Sequence, residues 1–298
     1  MQQIRCTLLL LMATMLSLCL TILTTNQDVG ANPLNPAFNA PKTIHSSAEN
    51  IPKNGYIAVN QQFDGTKTST NQKNRLSAHS IAKLIKETPD MNPDPLILSL
   101  SHTDYLKNEK LFDVSYNVFH FSPKAMFKSN TATIYTTSNR LLPLIKIAAN
   151  KWNNALDTVV FKIGSQRTHT LTISFGNAGQ DNWDGLFNGR KIYVDRAHFN
   201  DPKYPTAYMK PSIASQMSIE QYWTGVIAHE LGHTLGLDHT AYQSDLMFAP
   251  TSDGNVITKY LWKRPIQRSS TGLDGTETAQ ISQRDLNRAK LAKQLDYW

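Results

Sequence analysis

Apolar residues recur three and four positions apart in several parts of the chain, which is the spacing of one helix face. The longest such pattern covers Arg140–Leu156, and Pro143 lies where proline fits the first turn of a helix. A shorter amphipathic pattern predicts a helix over Ser77–Thr88, stopped by the prolines that follow. Another over Ser282–Leu295 carries a serine cap and predicts a last helix.

A further helical pattern begins after Ser218 and is apolar on nearly every side. A helix without a polar face is expected to be buried. Ser218 and Gln221 have the spacing of a capping box at its start. Gly236 is expected to end it, because glycine adopts the left-handed conformation that terminates helices.

Alternating β-branched and apolar residues predict strands between these helices. They occur over Thr131–Thr137, Thr158–Ile163 and His169–Phe175. Asn188–Gly189 is a hairpin-turn signal, and the run Lys191–Val194 follows it. The predicted order is therefore strand, helix, two strands and a hairpin, followed by the buried helix.

The first part of the chain has a different character. Cys6–Leu23 is an uncharged apolar run, and the small residues of Val29–Ala31 resemble a signal-peptidase site. Residues 1–31 are therefore expected to be a cleaved signal peptide, with a retained membrane anchor as the alternative. Residues 32–112 are expected to be a flexible leader that could serve as a pro-segment, and residues 113–298 a compact folded domain.

The charge and the cysteine content limit which partners and which reactive groups the protein can use. The formal charge of +7 comes from scattered basic residues without a long run, so we do not expect nucleic acid as a partner. An anionic cell wall is a possible partner for a protein of this charge. Both cysteines, Cys6 and Cys19, lie in the predicted signal segment. Removal of that segment leaves no cysteine nucleophile, disulfide or thiolate metal site. Histidine and carboxylate side chains are then the expected reactive or metal-binding groups.

The stretch HELGHTLGLDH, from His229 to His239, carries that chemistry. His229 and His233 are four residues apart on the predicted buried helix, so both rings can reach one metal ion. Gly236 lets the chain turn back and bring His239 as a third ligand. Three imidazoles leave one position of a tetrahedral Zn²⁺ open, as in catalytic sites, and Glu230 can accept a proton from water there.

This stretch resembles the signature of the metzincins, and its continuation to Met247 resembles the matrixin branch. The resemblance covers about Asp113 to the end of the chain. It implies an α+β fold, with a twisted mixed five-stranded sheet and three helices. It also implies that Met247 forms a structural floor beneath the metal, that Asp285 supports this Met-turn, and that Glu230 is the catalytic base and then acid.

Two features of animal matrixins are missing from this sequence. Their second, structural zinc needs histidines that the stretch Phe175–Val194 lacks, so we expect that site to be absent. The Asp-, Asn- and Gly-rich stretch Gly176–Arg190 is compatible with a Ca²⁺ site or with solvated turns. Latency through a cysteine is impossible, so a leader that inhibits must use another group, such as a carboxylate.

We therefore expect a secreted, monomeric zinc endopeptidase that acts on proteins or peptides. If residues 1–31 stay as an anchor, it would face outward from the membrane. A zinc hydrolase acting on cell-wall peptides and a zinc-containing but inactive surface-binding protein remain as alternatives. The other histidines show no ligand spacing and are expected to be surface or core residues: His45, His79, His102, His120, His169 and His198.

Overall fold

A computed structural model describes residues 77–87, 90–249 and 268–298 of the chain. The predicted signal or anchor segment, the first part of the predicted leader and the stretch that follows Ala249 lie outside the described residues. In the described part, no helix has both the length and the apolar character needed to cross a membrane.

Five strands form one mixed sheet in the order β2-β1-β3-β5-β4. β1 pairs in parallel with β2 and β3, β3 pairs in parallel with β5, and β4 alone runs antiparallel, against β5. The central strands carry fully buried side chains, as parallel strands covered by helices do. The strands are β1 (Ala132–Tyr135), β2 (Phe161–Ile163), β3 (Leu171–Gly176), β4 (Gly185–Phe187) and β5 (Lys191–Asp195).

The helices follow the apolar patterns of the sequence. In chain order they are α1 (Ala78–Glu87), α2 (His102–Tyr116), α3 (Leu141–Leu156), α4 (Arg196–Asn200), α5 (Pro211–Ala214), α6 (Ile219–Thr234), α7 (Gly275–Thr278) and α8 (Gln283–Gln294). α3, α6 and α8 correspond to the three helices expected from the resemblance, and the others are additional. α3 and α6 pack against each other and against the sheet, so both lie on one face of it.

The predicted turn and helix ends are largely confirmed. Asn188 and Gly189, with φ 86° at the glycine, connect β4 to β5. Gly236 has φ 83° just after α6, as expected of a residue that ends a helix. The predicted capping box of α6 forms only by half: the Ser218 hydroxyl accepts from the amide of Gln221, but the Gln221 side chain donates to the carbonyl of Glu277 instead.

The domain start expected at Asp113 is wrong. This residue lies inside α2, whose side chains Tyr105 and Phe112 are fully buried in the same hydrophobic core as the sheet. Ile81 of α1 and Ile97, both fully buried, also belong to this core. The described part of the stretch before residue 113 is therefore an integral part of the fold.

Candidate metal centre

α6 and the turn after it bring the three predicted histidines together. His229 and His233 lie one turn apart on α6, and the left-handed Gly236 redirects the chain so that His239 faces them. The centroids of the three rings lie 4.9–5.2 Å apart. One nitrogen from each ring can be chosen so that all three lie within 4.8 Å of one another. Within the described ranges, these residues form the metal-ligand cluster that the sequence predicts.

Backbone carbonyls fix the orientation of two of these rings. His229 Nδ1 lies 2.7 Å from the carbonyl oxygen of Leu246, and His233 Nδ1 lies 2.7 Å from that of Leu237. A carbonyl can only accept, so Nδ1 carries the proton and Nε2 keeps its lone pair for a metal. Both contacts are of the kind that sets the tautomer of metal-binding histidines.

Burial favours the neutral form of all three rings. Burial, together with the charge of a second histidine of the cluster, lowers the pKa of each histidine to about 3. Three unprotonated imidazole nitrogens that face one another repel without a cation between them. This donor set fits Zn²⁺, and it leaves the fourth tetrahedral position open, as in catalytic rather than structural sites.

Glu230 lies beside this cluster under the edge strand β4. Glu230 is only 6 % exposed. The pKa of Glu230 is raised to about 8: burial is the main cause, the backbone amide of Phe187 opposes the rise, and the negative charge of Asp184 contributes to it. β4 can approach Glu230 closely because residue 185 is glycine: a Cβ atom there would lie 2.7 Å from Cγ and Oε1 of Glu230.

Met247, the predicted floor beneath the metal, lies against the helix that carries His229 and His233. It is fully buried, and its sulfur would lie 2.4 Å from a Cβ atom placed at Gly232, so the glycine of the histidine motif makes room for it. The turn is closed by backbone bonds: the amide of Thr240 donates to the carbonyl of Met247 at 2.8 Å. The hydroxyl of Thr240 donates to Asp245 at 2.9 Å.

The last helix holds this turn in place. Asp285 of α8 accepts a hydrogen bond from the amide of Leu246 at 2.7 Å, which confirms the support predicted for it. Arg284 donates to Asp245 at 2.8 Å and stacks 3.6 Å above the ring centre of Tyr242. Tyr242 therefore lies buried against Arg284.

Thr276 is a residue of the site that sequence reasoning missed. Its hydroxyl donates to the Leu246 carbonyl at 2.9 Å and lies 3.3 Å from Nδ1 of His229, so it supports the same carbonyl that orients this ring. α7 can lie this close because residue 225 of α6 is glycine: a Cβ atom there would lie 1.7 Å from the carbonyl oxygen of Thr276. A threonine that follows glycine in a four-residue helix carries no recognisable sequence signal.

Asp184 was also missed, although it lies in the stretch considered for calcium. Its carboxylate accepts hydrogen bonds from Tyr204 at 2.6 Å and from Tyr222 of α6, and it lies 2.6 Å from Nδ1 of His198. These three partners anchor the residue just before β4. A calcium ion in this stretch stays a prediction.

A helix that carries two histidines and a glutamate, a third histidine beyond a glycine turn and a methionine beneath them together define a metzincin-type zinc centre. A sequence model of the matrixin family matches residues 124–259. The chain thus carries a matrixin metalloprotease domain, with His229, His233 and His239 as its zinc-binding triad. Comparison with curated proteins finds no match.

Proposed function

We propose that the protein is an exported zinc-dependent endopeptidase that hydrolyses bonds inside polypeptides. The observation that carries this proposal is the pairing of three neutral histidines with the buried carboxyl of Glu230 beside them. A purely structural zinc site has four protein ligands and needs no such carboxyl.

The histidines and Glu230 have different roles in this reaction. His229, His233 and His239 would hold the zinc ion, which when bound supplies Lewis acidity towards a carbonyl group and a water molecule. Burial raises the pKa of Glu230 to about 8, and a bound cation would favour its ionised form. Its carboxylate accepts a proton from the attacking water and then donates that proton to the nitrogen of the departing amine.

The edge of the sheet supports a peptide as substrate. Among the described residues, β4 pairs with no strand other than β5, so its other edge is open to a further strand. An extended peptide can add to such an edge as a further strand. Gly185 of β4 touches Glu230, so a peptide aligned on this strand would pass close to the catalytic carboxyl.

The test compares the full chain with its Glu230→Gln variant. Glu220→Gln is the matched control, since Glu220 is an exposed glutamate on the same helix. Each protein is loaded with zinc and incubated with a peptide mixture, and new termini are read by mass spectrometry. We expect internal cuts from wild type and from Glu220→Gln, and none from Glu230→Gln or after chelation. Equal cutting by Glu230→Gln would contradict the role of this carboxyl.

Export rests on the apolar run Cys6–Leu23. We expect the protein outside the expressing cell with a new terminus at Asn32. A protein that keeps Met1 and sediments with membranes would support the anchor instead. Release of fragments from purified cell walls, without cuts in general peptides, would favour the cell-wall substrate.

A further inference from the structure

The end of α2 continues into a short segment that lies beside the loop carrying the third histidine. We call residues Asn117–Phe119 the Asn117 segment and residues Gly236–His239 the ligand loop. The amide of Phe119 donates to the carbonyl of Gly236 at 2.8 Å, and the amide of Asp238 donates to the carbonyl of Asn117 at 3.0 Å. The two stretches thus pair like antiparallel strands.

His239 depends on this pairing more than the other two ligands do. His229 and His233 sit on a helix, and their Nδ1 atoms each lie 2.7 Å from a backbone carbonyl. Nδ1 of His239 has Asp238 Oδ1 at 4.0 Å, which is too far for a hydrogen bond. The carbonyl of His239 is held instead by the side-chain amide of Asn117, at 2.8 Å.

Arg288 of α8 locks both stretches together. Its guanidinium is fully buried and donates to three backbone carbonyls: those of Tyr116 at 2.7 Å, Asn117 at 2.7 Å and Asp238 at 2.6 Å. Because the guanidinium group is rigid and planar, its hydrogen bonds to the Asn117 segment and to the ligand loop fix the distance between them. The position of His239 is therefore set from outside the histidine motif.

We propose that Asn117 is a positioning residue for the third zinc ligand, and that the Asn117 segment sets how tightly the centre holds zinc. This inference rests on the proposed function, because it assumes that the three histidines bind zinc. The segment precedes residue 124, where the match to the matrixin family begins.

The test replaces Asn117 by glycine in the full chain. Asn117 has φ 49°, in the left-handed region where glycine is unstrained, so Asn117→Gly removes the side-chain amide and leaves the backbone pairing possible. Asp157→Gly is the matched control: Asp157 has φ 51°, ends α3 in the same way and is exposed. Zinc-loaded proteins are mixed with a chelating indicator, and the rate of zinc release is recorded.

We expect Asn117→Gly to release zinc about tenfold faster than wild type or more, the loss typical of removing a group that orients a metal ligand. Asp157→Gly should release zinc like wild type. The melting temperatures of the zinc-free variants are measured as well, since a merely structural role would change these and leave zinc release alone. Equal release rates in the two variants would overturn the inference.

Hydrogen exchange of the wild-type protein tests the same coupling without a variant. Coupling between two sites is reciprocal, so zinc should slow the exchange of the Phe119 and Asp238 amides, which join the two stretches. Unchanged exchange at both amides would overturn the inference. A wild-type protein that binds zinc but cuts no peptide would overturn the proposed endopeptidase alone, whereas one that binds no zinc would overturn both.

Discussion

Gly185→Ala is expected to disable the enzyme while leaving its metal in place. The new methyl group would lie 2.7 Å from Cγ and Oε1 of Glu230 and 2.8 Å from Cγ1 of Val226. Ordinary carbon contacts are about 3.5–4.0 Å, so the neighbours must move by roughly 1 Å. The far end of Glu230 is the more flexible of the two and should yield. A shift of about 1 Å in a catalytic group can lower the rate about 100-fold, or about 2.7 kcal/mol of barrier.

The assay measures kcat and KM on a peptide that the wild-type protein cuts, together with zinc content and urea unfolding. Gly176→Ala is the control, because its methyl group would meet Trp183 at 2.8 Å and Tyr193 at 3.0 Å, away from Glu230. Both variants should lose about 1–3 kcal/mol of stability to overpacking, and both should keep their zinc. Only Gly185→Ala should lose kcat. Wild-type kcat in folded, zinc-loaded Gly185→Ala would refute the close placement of strand and carboxyl.

Chelation should lower the melting temperature, since a zinc concentration 1,000 times its dissociation constant stabilises the fold by about 4 kcal/mol; a calorimetric trace unchanged by chelator would contradict this. The three ligand histidines have pKa values lowered by burial from 6.5 to about 3, so below pH 6.5 the unfolded chain binds protons that the zinc-free fold does not. Stability should therefore fall as pH drops towards 3, by up to about 1.4 kcal/mol per pH unit for each histidine, and urea titrations of zinc-free protein at several pH values would show it. Asp285→Ala should destabilise the protein by about 3 kcal/mol or more, because the amide of Leu246 loses its acceptor and the fully buried Arg288 loses a nearby carboxylate. A denaturation midpoint equal to that of wild type would argue against this support.

Local signals predicted much of the fold and of the centre. The spacing of His229 and His233 sets their shared helix face, and Gly236 and the Asn188–Gly189 pair require conformations that few other residues adopt. The support from Asp285 could be expected only from the family resemblance. No local pattern connects this residue to a turn that lies 39 positions earlier in the chain.

The missed features depend on partners that are distant in sequence. The Gln221 side chain donates a hydrogen bond to a carbonyl 56 residues away instead of capping its own helix, and Asn117 donates one to His239 across 122 residues. The domain start was misplaced for a different reason. α2 carries apolar side chains on its exposed side as well, with Leu106 52 % and Val114 39 % exposed, so its pattern lacks the clear polar face of a surface helix.

The bonds around the third ligand also have a consequence for the order of events during synthesis. The β4–β5 hairpin is local and can close within microseconds, as hairpins do. Completion of the ligand loop instead waits for Arg288, which lies 50 residues beyond Asp238 and 171 beyond Asn117. We therefore expect His239 to take its final position only after α8 has docked, later than His229 and His233 take theirs on α6.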